Sequence, residues 1–204
     1  MREDGDLLDA WRAGDTAAGE ELFERYYPAM ARFFANKLGG DPADLIQDTF
    51  MACLRGRDRI AEQGKFRAYI FSIAYNQLRM HYRSKRVDAE RLDFGSVSAA
   101  DLSPGAGSML VQSAEQVLLL AALRRIPIEH QVVLELFYWE DMTSATIADV
   151  LEEPHGTVRT RIRRARELLE QALGELATDP GVLRRTVEDL DGWVGKIRVA
   201  AGVA

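Results

Sequence analysis

The chain has 204 residues, is 47% hydrophobic and 28% charged, and carries a net charge of -6, which suits one large or two small soluble domains. No apolar run approaches the ~20 residues of a membrane span, and the opening M-R-E-D-G-D is too acidic for a signal peptide, so we expect a cytoplasmic protein without membrane insertion. The single cysteine, Cys53, excludes an internal disulfide and a cysteine-rich zinc site, and we predict that it lies in the core.

The first predicted element is a long helix that ends near Leu38. Asp15 and Thr16 are suitable capping residues, and the apolar positions repeat at helical spacing. Pro28 lies inside this pattern and predicts a kink or an early break. The apolar positions are Leu22, Phe23, Tyr26, Tyr27, Met30, Phe33 and Phe34.

A second helix is predicted to follow Gly39 and Gly40, with Asp41 as N-cap and Pro42 at the first helical position. Its periodicity predicts two opposite faces. The buried face comprises Ile46, Phe50, Cys53 and Leu54, and the polar stripe comprises Asp44, Gln47, Asp48, Met51 and Arg55. Such a stripe is usually plain solvated surface.

A third helix is predicted over residues 65–86, which contain six Lys or Arg and no acid between Lys65 and Val87. Helical spacing places Ser72, Asn76, Arg79 and Arg83 on one polar stripe, with Tyr69, Phe71, Tyr75 and Tyr82 among them. Aromatic rings interleaved with cations are typical of single-stranded nucleic-acid binding, because bases stack on rings while cations follow the backbone. The alternative is that the aromatics fill the core and the cations only solubilise the helix.

Residues 84–113 are rich in Ser, Ala, Gly and Asp. Their apolar content is too thin for a core, so we predict a flexible linker between two helical domains.

A helix-turn-helix is predicted from Thr143 to Leu169. Thr143 is a plausible N-cap for a short helix with an apolar edge of Ile147, Val150 and Leu151. A second helix that starts near Pro154 would bury Val158, Ile162, Ala165 and Leu169.

This second helix carries five arginines and no acid between Pro154 and Arg166. The residues on its open side are Arg159, Thr160, Arg163 and Arg164. An α-helix fits the major groove, where guanidiniums can bind guanine edges or phosphates. The alternative is a solvated basic face.

Charge is divided between these segments and the remainder of the chain. The two cationic helices carry eleven positive charges, which leaves the rest at -17. Two separate cationic helices suggest two contacts with one nucleic acid.

An enzyme is not indicated, because the three histidines are scattered along the chain and neither a Gly-rich phosphate loop nor a nucleophile–base pair is present. His130 is expected at a helix surface. No cofactor or metal is expected.

Three segments together resemble bacterial extracytoplasmic-function (ECF) sigma factors of the sigma-70 family. They are D-L-I-Q-D-T-F (residues 44–50), F-R-A-Y-I-F-S-I-A-Y-N (66–76) and H-G-T-V-R-T-R-I-R-R-A-R-E-L-L (155–169). The resemblance covers about residues 5–175. It implies an all-α fold of two small helical domains joined by a flexible linker, with a C-terminal helical extension. The implied segments are sigma domain 2 (5–86), linker (87–113), sigma domain 4 (114–177) and extension (178–204).

The resemblance also implies partners and residues. The partners would be core RNA polymerase, through its β′ clamp helices and β flap, promoter DNA, and an anti-sigma factor. Asp44, Leu45, Gln47 and Asp48 match the polymerase-binding motif. Lys65, Tyr69, Ser72, Asn76, Arg79 and Arg83 match the surface that captures and holds the melted -10 strand. Thr157, Arg159, Thr160, Arg161, Arg163 and Arg164 match the helix that reads the -35 element.

The chain departs from the family in the helix-turn-helix. Asp141, Thr143, Ser144, Ala145 and Thr146 stand where a Gly-containing turn and a Ser-aromatic-Glu-Glu start are usual. The acidic pair Glu152 and Glu153 lies where it would repel nearby phosphates, since charges are felt over about 8 Å at physiological salt. A stand-alone helix-turn-helix regulator is the alternative function, although it would not need the motifs at 44–50 and 66–76.

Beyond the turn at residues 179–181, apolar residues again repeat at helical spacing: Leu183, Val187, Leu190, Val194 and Ile197. An isolated helix of this length is marginal in water, so its apolar face must be covered. Either it packs back onto one of the chain's own domains, or it docks on a partner.

Overall fold

The computed structural model describes residues 2–60, 66–84, 93–103 and 113–188. In these ranges the secondary structure is helical apart from an isolated bridge between Ser98 and Pro127, which confirms the predicted all-α fold. The helices are α1 (Asp4–Arg12), α2 (Thr16–Ala35), α3 (Ala43–Gly56), α4 (Phe66–Ser84), α5 (Ala99–Leu102), α6 (Ala114–Arg125), α7 (Ile128–Tyr138), α8 (Ser144–Leu151), α9 (His155–Leu176) and α10 (Pro180–Glu188). None of these helices is long and apolar enough to cross a bilayer.

Helices α1 to α4 form the N-terminal half of the molecule, in which α1 packs along α2 and α3 packs along α4. The Asp15 carboxylate accepts a hydrogen bond from the Ala18 amide at 3.3 Å and caps α2, as predicted. Helix α2 runs through Pro28 without the predicted break. A proline inside a helix costs about 3 kcal/mol, and the burial of Tyr26 and Met30 on either side of it offsets that cost.

Helix α3 begins one residue later than predicted, because Pro42 occupies the N-cap position and Asp41 accepts a hydrogen bond from the Ala43 amide at 2.9 Å. Its buried face is also rotated relative to the prediction. Ile46 and Cys53 are buried as expected, but Phe50 is only half-buried and Leu54 is 42% exposed. Leu45 and Thr49 are buried instead, so the face turned to α2 and α4 is rotated away from Leu54 and from the polar stripe.

Helices α6 to α9 form the C-terminal half. Helix α9 packs against α6 and α7, around a second apolar cluster that includes Leu119, Leu123, Trp139, Leu169 and Leu173. The buried residues of α8 belong to the other cluster, because α8 packs directly against α4 of the N-terminal half. The core of the N-terminal half therefore continues into the helix-turn-helix.

The described part of the predicted linker, residues 93–103, packs between the two halves. Phe94 and Ala99 are buried, although the segment as a whole has few apolar residues. Backbone amides of α7 donate to this segment, from Ile128 to the Val97 carbonyl at 3.0 Å and from Glu129 to the Phe94 carbonyl at 3.1 Å. This portion of the linker is a structured part of the contact between the halves.

The beginning of the C-terminal extension packs back onto its own half, as the first of the two sequence-based alternatives predicts. Helix α10 lies against α6 and α9, Leu183 packs on their apolar cluster, and Thr186 is buried. Arg185 donates to Glu115, at the start of α6, at 3.0 Å. Leu190, Val194 and Ile197 lie outside the described residues.

Candidate nucleic-acid interface

The helix-turn-helix is held by local hydrogen bonds. The Thr143 hydroxyl accepts from the amide three residues later and caps α8, as predicted. Glu152 ends α8 in the left-handed conformation, at φ 55° and ψ 41°, and Pro154 is the N-cap of α9. The Ser144 hydroxyl lies 2.7 Å from Nε2 of His155, which joins the first residues of the two helices. These contacts set the angle at which α9 projects from the turn.

One face of α9 is open and strongly basic. Arg163 and Arg164 are 76% and 57% exposed, and each forms a surface pair with Glu167, at 3.8 and 2.9 Å. Such exposed pairs contribute about 1 kcal/mol or less, so the guanidiniums are available to a phosphate or a base edge. The residues of this open face are Thr157, Arg159, Thr160, Arg163 and Arg164.

Arg161 does not share this open face, which corrects its placement among the DNA-facing arginines. Its side chain is 16% exposed and lies between two carboxylates, with Glu129 of α7 at 3.3 Å and Glu153 of the turn at 2.9 Å. The position of Arg161 on the inner side of α9 brings it within reach of these acids. The positive charge of Arg161 beside Glu153 reduces the repulsion expected from the acidic pair.

His130 is half-buried, whereas the sequence predicts a surface position. Its Nδ1 is buried and has no hydrogen-bond partner in the described part of the chain. Burial lowers the pKa of His130, and the positive charges of Arg161 and Arg164 lower it further. The imidazole is therefore neutral at physiological pH and contributes no charge to the basic face.

The polar stripe predicted on α4 is present and is partly open. Asn76 and Arg83 are exposed, whereas Ser72 and Arg79 are half-exposed. The Ser72 hydroxyl donates to the Tyr69 carbonyl at 2.8 Å, and the Arg79 guanidinium lies 5.7 Å from the centre of the Tyr75 ring. Lys65 lies outside the described residues. An exposed amide with neighbouring cations is suited to an unpaired nucleic-acid strand.

The aromatics of α4 do not form a continuous stacking surface. Phe71, Tyr75 and Tyr82 are buried, so the core alternative is correct for these three. Burial raises the pKa of Tyr82 to about 12. Of the four aromatic residues predicted on the stripe, Tyr69 alone is half-exposed. Its phenol oxygen lies so close to Gly56 of α3 that a Cβ atom at position 56 would overlap it. Gly56 thus allows Tyr69 to lie against α3 beside the stripe.

The predicted polymerase-binding stripe on α3 is exposed at Asp44, Gln47 and Asp48. Leu45 is 8% exposed and packs in the core, so it does not belong to this surface. Its burial follows from the rotation of the α3 face described above.

An apolar surface that the sequence reasoning missed adjoins this stripe. Tyr27 of α2 is 53% exposed, and Met51 and Leu54 of α3 are 43% and 42% exposed. The Tyr27 ring stacks on Phe50 with centroids 6.5 Å apart, and Phe50 contacts Phe23 at 4.7 Å. The sequence pattern assigned Leu54 to the core and Tyr27 to an apolar helix face, so neither signalled a surface.

The same regions match known families. The Sigma-70 region 2 model matches residues 22–87, and the Sigma-70 region 4 model matches residues 116–169. The first match contains α3 and α4 and most of α2; the second contains the helix-turn-helix.

Individual proteins agree with these matches. The ECF RNA polymerase sigma factor BldN of Streptomyces coelicolor is 26% identical over 171 residues, which cover 82% of this chain and 65% of BldN, a little under two thirds of that protein. The ECF RNA polymerase sigma-E factor of Escherichia coli is 24% identical over 179 residues, which cover 83% of this chain and 94% of sigma-E. The fold also matches CnrH, solved in complex with the cytosolic domain of CnrY, with a TM-score of 0.62 and 24% identity over 85% of this chain and 99% of CnrH.

Both conserved regions of the family are present in the right order, and the helices that carry them are those with the exposed polar and basic surfaces. The chain therefore belongs to the sigma-70 family of RNA polymerase sigma factors, in the ECF group, and is a protein of transcription initiation.

Proposed function

We propose that this sigma factor binds core RNA polymerase and promoter DNA, reads the -35 and -10 elements, and stabilises the melted strand by binding alone, without covalent chemistry. The observation that carries the proposal is the presence of three exposed surfaces of different chemistry on three helices. They are an acidic and apolar surface on α3, an amide and cationic stripe on α4, and an arginine-rich face on α9.

The polymerase contact is assigned to α3. Asp44, Gln47 and Asp48 supply polar groups for the β′ clamp helices, while Met51 and Leu54 supply apolar area beside them. A charged rim around an apolar patch is the usual composition of a specific protein interface. Leu45 supports this surface from inside by packing, and the β flap is the proposed contact of the C-terminal half.

The -10 element is assigned to α4. Asn76 presents an exposed amide for a base edge, and Tyr69, two helical turns earlier, offers a partly exposed ring. Arg79 and Arg83, with Ser72, would hold the backbone of the melted strand, and Lys65, which precedes α4 in the sequence, is proposed to do the same. A base stacked on an aromatic ring is worth ~1–3 kcal/mol, so a single available ring is enough to favour one flipped base.

The -35 element is assigned to the open face of α9. Arg159, Arg163 and Arg164 are placed to contact guanine edges or phosphates, and Thr157 and Thr160 lie among them. Arg161 is not assigned a base; its pairs with Glu129 and Glu153 hold the turn against α7.

The segment boundaries proposed for these functions are 5–86 for sigma domain 2, 87–113 for the linker, 114–177 for sigma domain 4 and 178–204 for the extension.

An anti-sigma factor is a further proposed partner, since CnrH, which has a fold of this kind, was solved in complex with the cytosolic domain of CnrY.

The test is run-off transcription with purified core polymerase and a promoter library. We expect transcripts that depend on this protein and that share two upstream elements. A protein that binds duplex promoter DNA without core, and adds nothing to transcription by core, would instead be a stand-alone helix-turn-helix regulator.

A further inference from the structure

Helix α4 presents one continuous line of exposed residues to solvent. The residues of this line are Asn76, Met80, Arg83 and Ser84. They follow one another at helical spacing, and because an α-helix turns once in about 3.6 residues they share one face. Met80 therefore lies between the amide and the guanidinium that are proposed to bind the melted -10 strand.

Met80 is the most exposed large apolar side chain in the part of the chain that the structure describes, at 62%. The stripe predicted from the sequence contains Arg79 and omits Met80. In the structure Arg79 is only half-exposed, because its guanidinium turns toward the Tyr75 ring and lies 5.7 Å from the ring centre. An apolar side chain thus occupies the middle of an otherwise polar line.

The charge of α4 indicates the kind of partner that this line fits. The helix contains Arg67, Arg79 and Arg83 and no acidic residue, which favours an anionic partner. A specific protein interface usually buries about 800 Å² on each side, and a single methionine between polar groups supplies too little apolar area for its centre. An unpaired nucleic-acid strand suits the line better, because each base offers a flat face to one side chain.

The aromatic rings of α4 are poorly placed to contact a base at Asn76. Three of the four are buried. The fourth, Tyr69, lies seven residues before Asn76, or roughly 10 Å along the helix axis at ~1.5 Å per residue. Met80 lies four residues after Asn76, or about 6 Å along the axis. The methionine is therefore the nearer apolar group to a base whose edge the amide binds.

The direction and the chemistry of the methionine suit such a contact. Side chains on an α-helix lean toward its N-terminus, so Met80 covers the turn that carries Asn76. A thioether is flexible and polarizable, and its sulfur makes favourable contacts with aromatic rings. The Asn76 amide can hydrogen-bond the edge of an unpaired base while the Met80 side chain contacts the same base through its ring.

We propose that Met80 is the apolar contact for the unpaired -10 base whose edge Asn76 binds, so that the amide and the thioether hold one nucleobase together. This inference rests on the proposed -10 function of α4. It requires that Met80 senses the base itself, whereas a contact with phosphate or sugar would be unaffected by removal of the base.

A double-mutant cycle between protein and DNA tests this contact. The DNA is a promoter with a pre-melted -10 bubble in which one nucleotide at a time is made abasic, and mobility shift gives its Kd for holoenzyme. The measured quantity is the ratio of the Kd for abasic DNA to the Kd for intact DNA. We expect one position at which Met80→Gln lowers this ratio about 2- to 10-fold relative to the wild type, because the variant has already lost the contact. Asn76→Ala should lower the ratio at the same position.

Conservative and control variants separate the contact from a general surface effect. Met80→Leu keeps an apolar side chain of similar size and should retain most of the wild-type ratio. Val187→Gln makes the same apolar-to-polar change at a residue of α10 that is 39% exposed and lies outside the three assigned surfaces. It should leave every ratio unchanged. Met80→Ala removes the same contact and serves if Met80→Gln fails to fold.

The outcomes distinguish this inference from the proposed function. If abasic nucleotides weaken binding of the wild type but no position responds to a folded Met80→Gln or Met80→Ala protein, the inference is overturned and the -10 function stands. Responses of Met80 and Asn76 variants at different positions would also overturn it, since the two side chains would then hold different bases. If no abasic nucleotide weakens binding of the wild type, the proposed -10 function itself is refuted.

Discussion

Replacing Arg163 by alanine should raise the Kd of the holoenzyme for its promoter roughly 5- to 150-fold, with little change in stability. The side chain is 76% exposed and its pair with Glu167 spans 3.8 Å, so almost nothing within the protein is lost. A bidentate contact with a base is worth about 1–3 kcal/mol, which sets the expected range. Surface changes of this kind usually alter stability by about 0.5 kcal/mol or less.

Arg161→Ala is the matched control, two positions along the same helix. Its two ion pairs, at 3.3 and 2.9 Å, are largely shielded from water, and their loss should cost about 1–3 kcal/mol of unfolding free energy. For a chain of this size that lowers the Tm by roughly 2–12 °C. Discrimination between correct and altered -35 sequences should survive, because Arg161 lies off the open face of α9.

Electrophoretic mobility shift with holoenzyme, on promoters with intact and altered -35 elements, measures both effects, and differential scanning calorimetry of the free protein measures the Tm. If Arg163 contacts only phosphate, the substitution should weaken binding to all sequences equally and reduce the salt dependence by about one phosphate contact. The reasoning fails if Arg161→Ala removes -35 discrimination as fully as Arg163→Ala does, or if Arg163→Ala lowers the Tm by more than Arg161→Ala.

Three further changes test the other surfaces. Asp48→Arg reverses the charge of an exposed α3 residue and should weaken core binding about tenfold while the circular dichroism spectrum stays helical; unchanged affinity in a pull-down would remove α3 from the polymerase contact. Asn76→Ala should slow promoter opening, and a template with a pre-melted -10 bubble should largely restore transcription, whereas equal loss on both templates would contradict a function in strand capture. Cys53→Ala should reduce the loss of stability at alkaline pH. Burial raises the thiol pKa from 9.0 to about 12, so between these pH values the unfolded chain releases the thiol proton while the folded protein keeps it. The free energy of unfolding of the unsubstituted protein therefore falls over this range. Urea titrations from pH 8 to 11 should give a slope above pH 9 that is shallower by about 1.4 kcal/mol per pH unit in the variant, and an identical slope would show that the thiol is not sheltered.

Features that depend on neighbouring residues were predictable. The caps at Asp15 and Thr143 and the open face of α9 follow from side-chain chemistry and from contacts three or four positions apart. The surface of α3 was less predictable. Leu45 and Leu54 both border its apolar face, and only the positions of α2 and α4 decide that Leu45 is buried and Leu54 exposed.

Arg161 and the α4 aromatics show the same limit at longer range. Composition places Arg161 with the other arginines of α9, but Glu129 comes from a helix 32 residues earlier and draws it away from the open face. Tyr75 and Tyr82 have the spacing of a stacking surface, yet Phe94 of the linker covers them. Such partners are visible only once distant helices are placed side by side.

The sequence by itself determined the helical class, the order of the two conserved regions, and which helices carry polar and basic faces, because helix periodicity and capping act over a few residues. Only the tertiary structure decided that the two halves are joined by buried ion pairs between residues 98 and 108 positions apart, Lys37 with Glu135 and Arg32 with Glu140. Each of these charged residues, considered alone, is predicted to lie at the surface, because a buried charge is stable only beside a partner of opposite charge. No short stretch of sequence contains both members of either pair.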